Sequence, residues 1–140
     1  LKTPSFDPHC TLYGRLDLDI DQIRPTVIDL VKTKNQFSTN VKRLKTGKTK
    51  WKSLYLALDN KEDLRYLYGA CKKQFGSLRK YAFDPHLSIA YGIFDPESIH
   101  YATKNINIPE YLAFSAIAIV KTGENIVDWE IVFQRQFENG

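Results

Sequence analysis

The pattern of apolar and polar positions along the chain predicts strands that alternate with helices. Residues 9–14 are apolar and β-prone, and they predict a strand that Gly14 closes. Pro25 suits the first turn of a helix, and an apolar stripe extends that helix to about Lys34. The start of the chain is therefore expected to form a strand followed by a helix.

The middle of the chain predicts a hairpin and a second helix. Gly47 lies between two stretches that alternate in polarity, as expected of a hairpin turn. Asp59 or Asn60 can cap the helix that follows. An apolar stripe extends that helix to about Phe75, and Gly76 ends it. The strand positions are Phe37, Thr39, Val41 and Leu44 before the turn, and Trp51, Ser53, Tyr55 and Ala57 after it.

The rest of the chain predicts one more strand, a short helix and a closing hairpin. The strand covers residues 85–91, and Pro96 opens a helix that runs to about Lys104. Two further strands, FSAIAIVK and IVDWEIVFQRQF, are joined by a turn at residues 122–125. This order predicts an α+β fold with a mainly antiparallel sheet.

Length and composition predict one folded domain, residues 1–140, because 43% of the residues are hydrophobic and 26% are charged. No apolar run approaches roughly 18 residues and no signal-peptide pattern is present, so we expect no membrane partner. Cys10 and Cys71 have neither a disulfide framework nor metal-ligand spacing, which favours a reducing, cytosolic or nuclear setting. We expect a cytoplasmic monomer. Because the chain starts at Leu1 and lacks Met, we expect a processed product or an excised domain with a short segment in front.

Positive charge is concentrated in one stretch of the chain. The net charge is +4, and residues 41–52 contain six Lys or Arg and no acid. The rest of the chain contains 14 basic and 16 acidic residues. The stretch can raise the local concentration of an anionic substrate. Alternatively, its lysines form a solvated hairpin edge that prevents strand-to-strand aggregation.

One phrase, PHCTLYG near the start of the chain, occurs again as PHLSIAYG in the second half. Side chains alternate faces along a strand, so His9 shares a face with Thr11. In the same way His86 shares a face with Ser88. Core packing constrains the apolar positions but not the identity of two polar ones, so the repeated imidazole and hydroxyl indicate a function.

Two such pairs suit the hydrolysis of a phosphodiester. Hydroxyls can donate to the non-bridging oxygens, while two histidines that titrate near neutral pH can act as base and acid. A metal is the second possibility, with Asp7 or Asp84 as a further ligand, but the proline that follows each aspartate directs it elsewhere. Both aspartates can instead be turn residues. His100 has no hydroxyl partner and lies in a predicted helix, so we expect it to be structural.

On the residues HCT at 9–11 and HLS at 86–88, the chain resembles the 2H phosphoesterases, a superfamily named for two H-x-[ST] motifs. The wider strings are most similar to the cyclic phosphodiesterase branch, whose second motif continues to a tyrosine that Tyr91 matches. Further likeness lies in the helix after the first motif, the hairpin that leads into KSLYLAL, and Trp129 in the closing hairpin.

The resemblance implies a bilobal fold of mainly antiparallel sheets with pseudo-two-fold symmetry, outer helices and a central cleft. It implies hydrolysis of a 2',3'-cyclic nucleotide or of ADP-ribose 1'',2''-cyclic phosphate, without a metal or other cofactor. His9 and His86 would be the acid/base couple, with the two roles unassigned. Thr11 and Ser88 would hold the phosphate. Tyr91 would add a contact, but strict alternation places it opposite Ser88, so that role requires a twist or a bulge.

Members of this superfamily usually begin with a strand and a helix ahead of the first motif, whereas only eight residues precede His9 here. That segment can supply an aromatic residue that stacks on the substrate base. Trp51 and Phe37 are the candidates for this stacking in the present chain, although either can equally belong to the core.

Two other functions fit the same residues. The fold can act on a larger substrate, such as an RNA end or a 2'-5'-linked oligoadenylate. The basic stretch favours this alternative, because phosphate contacts produce salt-dependent affinity. The chain can also be a non-catalytic RNA-binding module that uses the cleft only to hold phosphate.

Overall fold

The computed structural model of the chain describes residues 7–104 and 106–138. These residues contain three α-helices, namely α1 (Ile20–Thr33), α2 (Glu62–Phe75) and α3 (Pro96–Thr103), and one 3-10 helix, Ile126–Asp128. The strands are β1 (Phe37–Thr46), β2 (Leu54–Leu58), β3 (His86–Ala90), β4 (Tyr111–Phe114), β5 (Ala116–Lys121) and β6 (Glu130–Gln136). Within the described part of the chain, no helix has the length and apolar character needed to cross a membrane.

The strands form two antiparallel sheets, and the predicted α+β class is confirmed. The larger sheet has the order β3-β2-β1-β4, in which β1 and β2 form the hairpin predicted around Gly47. The smaller sheet is the closing hairpin of β5 and β6. The second motif therefore lies on an edge strand of the larger sheet.

The hydrophobic core lies where the helices cover the sheets. Helix α1 packs against both strands of the smaller sheet and touches α2. Its apolar stripe supplies Val27, Leu30 and Val31 to a buried cluster that also contains Phe75 of α2 and Ile117 of β5. A second cluster lies on the larger sheet and is built around Leu56, Leu58 and Leu64. Removing this apolar surface from water is what stabilises the two sheets against the helices.

Helix α1 begins earlier than predicted, at Ile20, and the prediction that Pro25 lies in its first turn is wrong. Asp19 is the N-cap residue, and its backbone N–H donates to the side-chain carbonyl of Gln22 over 3.0 Å. This bond satisfies a backbone donor at the helix start, as in a capping box. Pro25 therefore lies inside the helix, where its ring removes one backbone hydrogen bond.

Helix α2 ends at the predicted residue, Phe75, but the prediction that Asp59 or Asn60 caps its start is wrong. The Asp59 N–H donates to the carbonyl of Asn40 over 3.0 Å. The hydroxyl of Thr39 donates to the Asp59 carbonyl over 3.2 Å. Because Asp59 is thus bound to β1, the helix starts later, with Lys61 as its N-cap residue.

The strand predicted at residues 9–14 is not formed, and this prediction is wrong. Side-chain packing fixes the segment instead. The ring of Tyr13 contacts those of Tyr68 and Tyr81, with centroids 6.1 and 5.2 Å away. Its hydroxyl donates to the carbonyl of Arg79. The first motif is therefore held against α2 and the loop that follows it, through side chains and not through a strand ladder.

The predicted strand FSAIAIVK is two strands in different sheets. Strand β4 ends at Phe114, which pairs with Phe37 of β1, whereas β5 begins at Ala116. The chain passes from one sheet to the other at Ser115, whose carbonyl accepts the N–H of Phe137 over 3.0 Å. The continuous apolar run hides this break, because polarity patterns do not show which sheet a strand joins.

Candidate active site

A backbone carbonyl fixes the orientation of the His86 ring. His86 begins β3 and lies opposite Ala57 of β2. Its Nδ1 is 2.7 Å from the carbonyl oxygen of Asp84. Because a carbonyl only accepts hydrogen bonds, Nδ1 carries the proton, and a neutral His86 has its lone pair at Nε2.

His9 repeats this arrangement in the first motif. Its Nδ1 is 2.7 Å from the carbonyl oxygen of Asp7, which precedes the motif proline. The repeated sequence therefore produces a repeated hydrogen bond, although only the second copy lies in a strand. Proline favours an extended residue before it, which explains how both copies can present a carbonyl to the ring two positions later.

The two motifs meet in space. The backbone of His86 lies close enough to the Cys10 thiol of the first motif to oppose the rise that burial causes in the pKa of Cys10. Burial, followed by the charges of Lys52 and His9, lowers the pKa of His86 to about 4. His86 is therefore neutral at pH 7, and His9 lies close enough for its charge to lower the pKa of His86.

Ser88 and Tyr91 lie together because β3 contains a bulge. Tyr55 of β2 pairs with Ser88, but its neighbour Leu54 pairs with Ala90, which leaves one extra residue on β3. A bulge of this kind shifts the alternation of a strand, and here it brings Tyr91 to the side of Ser88. The two hydroxyls form a hydrogen bond, which opposes the rise that burial causes in the pKa of Tyr91.

Thr11 is partly buried in the segment that follows His9. Its methyl group would lie 3.6 Å from a Cβ placed on Gly14, so it packs beside the glycine of its own motif. The structure therefore brings His9, His86, Ser88 and Tyr91 into one region. The contact predicted between Thr11 and a phosphate stays a prediction.

Three aromatic side chains, Trp51, Tyr91 and Trp129, form what we call the aromatic cluster. The rings of Trp51 and Trp129 are nearly parallel, at 14°, with centroids 5.7 Å apart. The Tyr91 ring lies 6.1 Å from that of Trp51 and 5.9 Å from that of Trp129. Trp129 is also 6.2 Å from the ring of His9. The cluster thus connects the end of the second motif with the histidine of the first.

Both tryptophans come from hairpin loops, and their predicted places in strands are wrong. Strands β2 and β6 begin only after them. In the first loop, the carbonyl of Lys50 accepts the N–H of Gly92 over 2.7 Å, which ties the loop to the end of β3. In the second loop, the indole N–H of Trp129 donates to the carbonyl of Gly123 over 3.1 Å. Each loop therefore holds its tryptophan at a defined place.

Phe37, the other candidate for stacking on a base, belongs to the core. Its ring contacts those of Phe114 and Phe137, with centroids 5.4 and 5.7 Å away. Trp51 is only partly buried, and it is the candidate that lies at the site.

Lys52 is a site residue that the sequence did not single out. Its ammonium forms an ion pair with the carboxylate of Asp84 and lies 4.8 Å from the ring centroid of Tyr55. The Tyr55 ring in turn meets that of His86 at 69°, with centroids 5.4 Å apart. In the sequence Lys52 is one of the six basic residues in the stretch 41–52, and its ion-pair partner Asp84 lies 32 residues further along the chain. The sequence alone therefore does not distinguish Lys52 from the other five.

The donor set at the site does not suit a metal ion. The carboxylate of Asp84 is paired with Lys52, and its carbonyl is bonded to His86. Across residues 7–104 and 106–138, no three side chains of His, Cys, Asp or Glu are grouped as metal ligands. The motif aspartates therefore act through their backbone carbonyls, which orient the two rings.

The remaining histidine and the motif cysteine lie outside the chemistry described so far. His100 is exposed on α3. Burial raises the pKa of the Cys10 thiol to about 11, so Cys10 is protonated at neutral pH and is a poor nucleophile.

Comparison with known proteins agrees with this arrangement. The sequence model of the 2'-5' RNA ligase superfamily matches residues 3–125, a range that contains both motifs and most of the chain. Comparison with curated proteins gave no match. Since the match extends over both histidine motifs, the chain belongs to the 2'-5' RNA ligase superfamily, which is the 2H phosphoesterase superfamily.

Proposed function

We propose that the chain is a metal-independent phosphodiesterase that opens a cyclic phosphate to a phosphomonoester. The substrate is a 2',3'-cyclic nucleotide or ADP-ribose 1'',2''-cyclic phosphate. The observation that carries the proposal is the repeated bond from Nδ1 to a carbonyl, 2.7 Å long in both motifs, which makes Nε2 of each ring the nitrogen that transfers protons. Two such rings in one region supply a proton acceptor and a proton donor.

In the proposed reaction His86 is the base and His9 is the acid. The base role suits His86 because burial and nearby charges keep its ring neutral at pH 7. Its Nε2 takes a proton from water while the water oxygen attacks phosphorus and forms a new P–O bond. The P–O bond to the leaving ester oxygen breaks, the electron pair stays on that oxygen, and protonated His9 donates a proton to it. His86 then releases its proton to solvent and His9 takes one up, which restores both rings.

Neutral hydroxyls hold the phosphate in this proposal. Ser88 follows His86 by two positions in one strand, so the hydroxyl and the imidazole share a face. Tyr91 is hydrogen-bonded to Ser88 and extends the row of donors. Thr11 takes the matching place after His9. Each hydroxyl can rotate its hydrogen toward a non-bridging oxygen without adding a charge.

A larger substrate, such as an RNA end or a 2'-5'-linked oligoadenylate, is the second candidate. The basic stretch favours it, since Arg43, Lys48 and Lys50 are exposed. The ammonium of Lys50 lies 4.7 Å from the ring centroid of Trp51, so positive charge reaches the aromatic cluster. Additional phosphates of a longer chain would find cations there, and their binding would weaken with salt.

Product analysis tests the proposal directly. The chain is incubated with 2',3'-cyclic mononucleotides, ADP-ribose 1'',2''-cyclic phosphate and 2'-5'-linked oligoadenylate, and 2'- and 3'-phosphate products are separated. We expect hydrolysis of a cyclic phosphate, reduced about 100-fold or more in His9→Ala and in His86→Ala. His100→Ala is the matched control and retains the rate. Preserved hydrolysis in both site variants would overturn the assignment of the two histidines.

The same panel separates the alternatives when it is run over a series of salt concentrations. Poor turnover of the mononucleotides, combined with a steep salt dependence, would support the larger substrate. Binding of RNA by the wild type without turnover of any substrate would support a non-catalytic RNA-binding module.

A further inference from the structure

Lys52 stands beside His86, and the reaction described above does not use it. Its side chain is 31% exposed, and its ammonium lies between the carboxylate of Asp84 and the ring of Tyr55. Lysines mostly keep their charge in open water, so a lysine held in this way at a site requires an explanation.

We propose that Lys52 is a positioning residue of the active site, whose ammonium, held by Asp84 and Tyr55, acts as a fixed positive charge on His86 and on the bound phosphate. The effect on the phosphate rests on the proposed function, whereas the effect on His86 does not. Asp84 binds the Lys52 ammonium through its carboxylate and the His86 ring through its carbonyl. One residue therefore sets the positions of both the imidazole and the charge.

The effect on His86 follows from the sign of the charge. A neighbouring cation disfavours a second positive charge, so Lys52 keeps His86 in the form that accepts a proton. Among the causes that lower the pKa of His86, Lys52 follows burial and precedes His9. Among residues 7–104 and 106–138, the titratable groups near the His86 ring include Lys52 and Tyr55 from β2 and the loop before it, His9 from the first motif, and Asp84, while Cys10 lies near the His86 backbone.

The charged form of the Lys52 ammonium is subject to opposing effects. Burial and the charge of Lys45 lower the pKa of Lys52, whereas the Asp84 carboxylate favours its charged form. The ring face of Tyr55 also attracts a cation. The ion pair and the ring therefore keep the charge in place against its partial burial.

The effect on the phosphate follows from the position of the charge. An ammonium is a compact cation with three donors, which suits the oxygens of a phosphate held next to His86. A charge that is already fixed stabilises the negative charge of the transition state without reorganising. A surface ion pair with no such role would contribute little to stability and nothing to the rate.

Three variants separate this role from a structural one. Lys52→Met removes the charge and keeps most of the length, and Lys52→Arg keeps the charge. Lys73→Met removes an exposed lysine of α2 and is the matched control. For each protein, the titration of the His86 ring is followed by NMR, which the presence of only three histidines makes assignable. The rate constant kcat/KM for the cyclic phosphate is measured over the same pH range.

We expect the titration midpoint of His86 to move to higher pH in Lys52→Met and to stay near the wild-type value in Lys52→Arg and Lys73→Met. We also expect kcat/KM to fall about tenfold in Lys52→Met, with most of the rate retained in Lys52→Arg. Should Lys52→Met not fold, Lys52→Gln serves the same comparison. Raising the salt concentration on the wild type should also raise the midpoint, because salt screens the charge.

An unchanged His86 midpoint in Lys52→Met would overturn the inference, and so would equal losses in Lys52→Met and Lys52→Arg. A shifted midpoint in a chain that hydrolyses no cyclic phosphate would instead reject the proposed function and leave the effect on His86 established.

Discussion

The indole rings of Trp51 and Trp129 stack on one another, although the two residues belong to hairpins of different sheets. The larger sheet carries His86, while Trp129 in the loop of the smaller sheet reaches the ring of His9. The stack therefore connects the hairpin of the sheet that carries His86 with the loop that contacts His9.

Replacing Trp129 with Leu should lower both stability and activity. The variant loses ring contacts with Trp51, Tyr91 and His9, and aromatic pairs contribute roughly 0.5–1.5 kcal/mol each. We expect the free energy of unfolding in urea to fall by about 1–3 kcal/mol. We expect kcat/KM for the cyclic phosphate to fall about tenfold, because His9 is no longer held in place.

Val127→Ala is the control for this variant, since Val127 lies in the same loop and is 71% exposed. Its free energy of unfolding should stay within about 0.5 kcal/mol of the wild type. Equal behaviour of the Trp129 and Val127 variants would show that the stack does not organise the site.

The sequence predicts most helices and strands. The prediction is wrong where contacts between distant parts of the chain determine the local structure. The hairpin around Gly47 and the end of α2 follow from the local pattern of apolar and polar positions and from the glycine at each break. The segment at residues 9–14 has the composition of a strand but is fixed by the packing of Tyr13 against distant aromatic rings. The break at Ser115 depends on two sheets that the polarity pattern does not distinguish.

The site is predictable to the extent that it is repeated. The phrase around His9 and His86 occurs twice, so it is visible in one sequence. Lys52 is not part of a repeated motif. Its place at the site depends on the ion pair with Asp84, which becomes its neighbour only in the folded chain. Tyr91 lies beside Ser88 because of the bulge in β3. That bulge could not be predicted, because the sequence of one strand does not show its register with the neighbouring strand.

The variant Tyr91→Phe tests whether the phenolic hydroxyl of Tyr91 contributes to stability and to the rate. The buried hydroxyl of Ser88, which is 5% exposed, loses a hydrogen-bond partner, so we expect a loss of about 1 kcal/mol in the free energy of unfolding. We also expect kcat/KM to fall about threefold to tenfold, because one donor to the phosphate is absent. Tyr101→Phe, at an 80% exposed position on α3, is the control and should change neither quantity. A Tyr91→Phe chain with unchanged kcat/KM would remove Tyr91 from the set that holds the phosphate.

Stability should depend on pH through His86. In the unfolded chain this histidine has its ordinary pKa of 6.5, whereas in the folded chain the pKa is about 4. As the pH falls from 6.5 to 4, the unfolded state binds a proton that the folded state does not bind, so the free energy of unfolding decreases across this window. The decrease should be smaller in His86→Gln and unchanged in His100→Gln, as measured by urea unfolding at several pH values. Identical pH dependence in the wild type and His86→Gln would contradict the lowered pKa.

The pH profile of the reaction should reveal which histidine is the base. If neutral His86 accepts the proton from water, kcat/KM should persist as the pH falls below 6.5 and should decline only as it approaches about 4. Initial rates with a 2',3'-cyclic mononucleotide between pH 3.5 and 9, corrected for any unfolding, supply the measurement. A decline centred near 6.5 or above would assign the base role to a group other than His86.

Chelation should leave the activity unchanged. Of the two aspartates next to the histidines, Asp84 is occupied by Lys52, and both present their carbonyls to the imidazole Nδ1 atoms. Protonated and neutral imidazoles then perform the proton transfers that a metal-bound water would otherwise provide. We therefore expect the rate in excess EDTA to equal the untreated rate. A matched sample given EDTA followed by zinc is the control, and a loss of activity that zinc restores would show that the two histidines are metal ligands instead of an acid and a base.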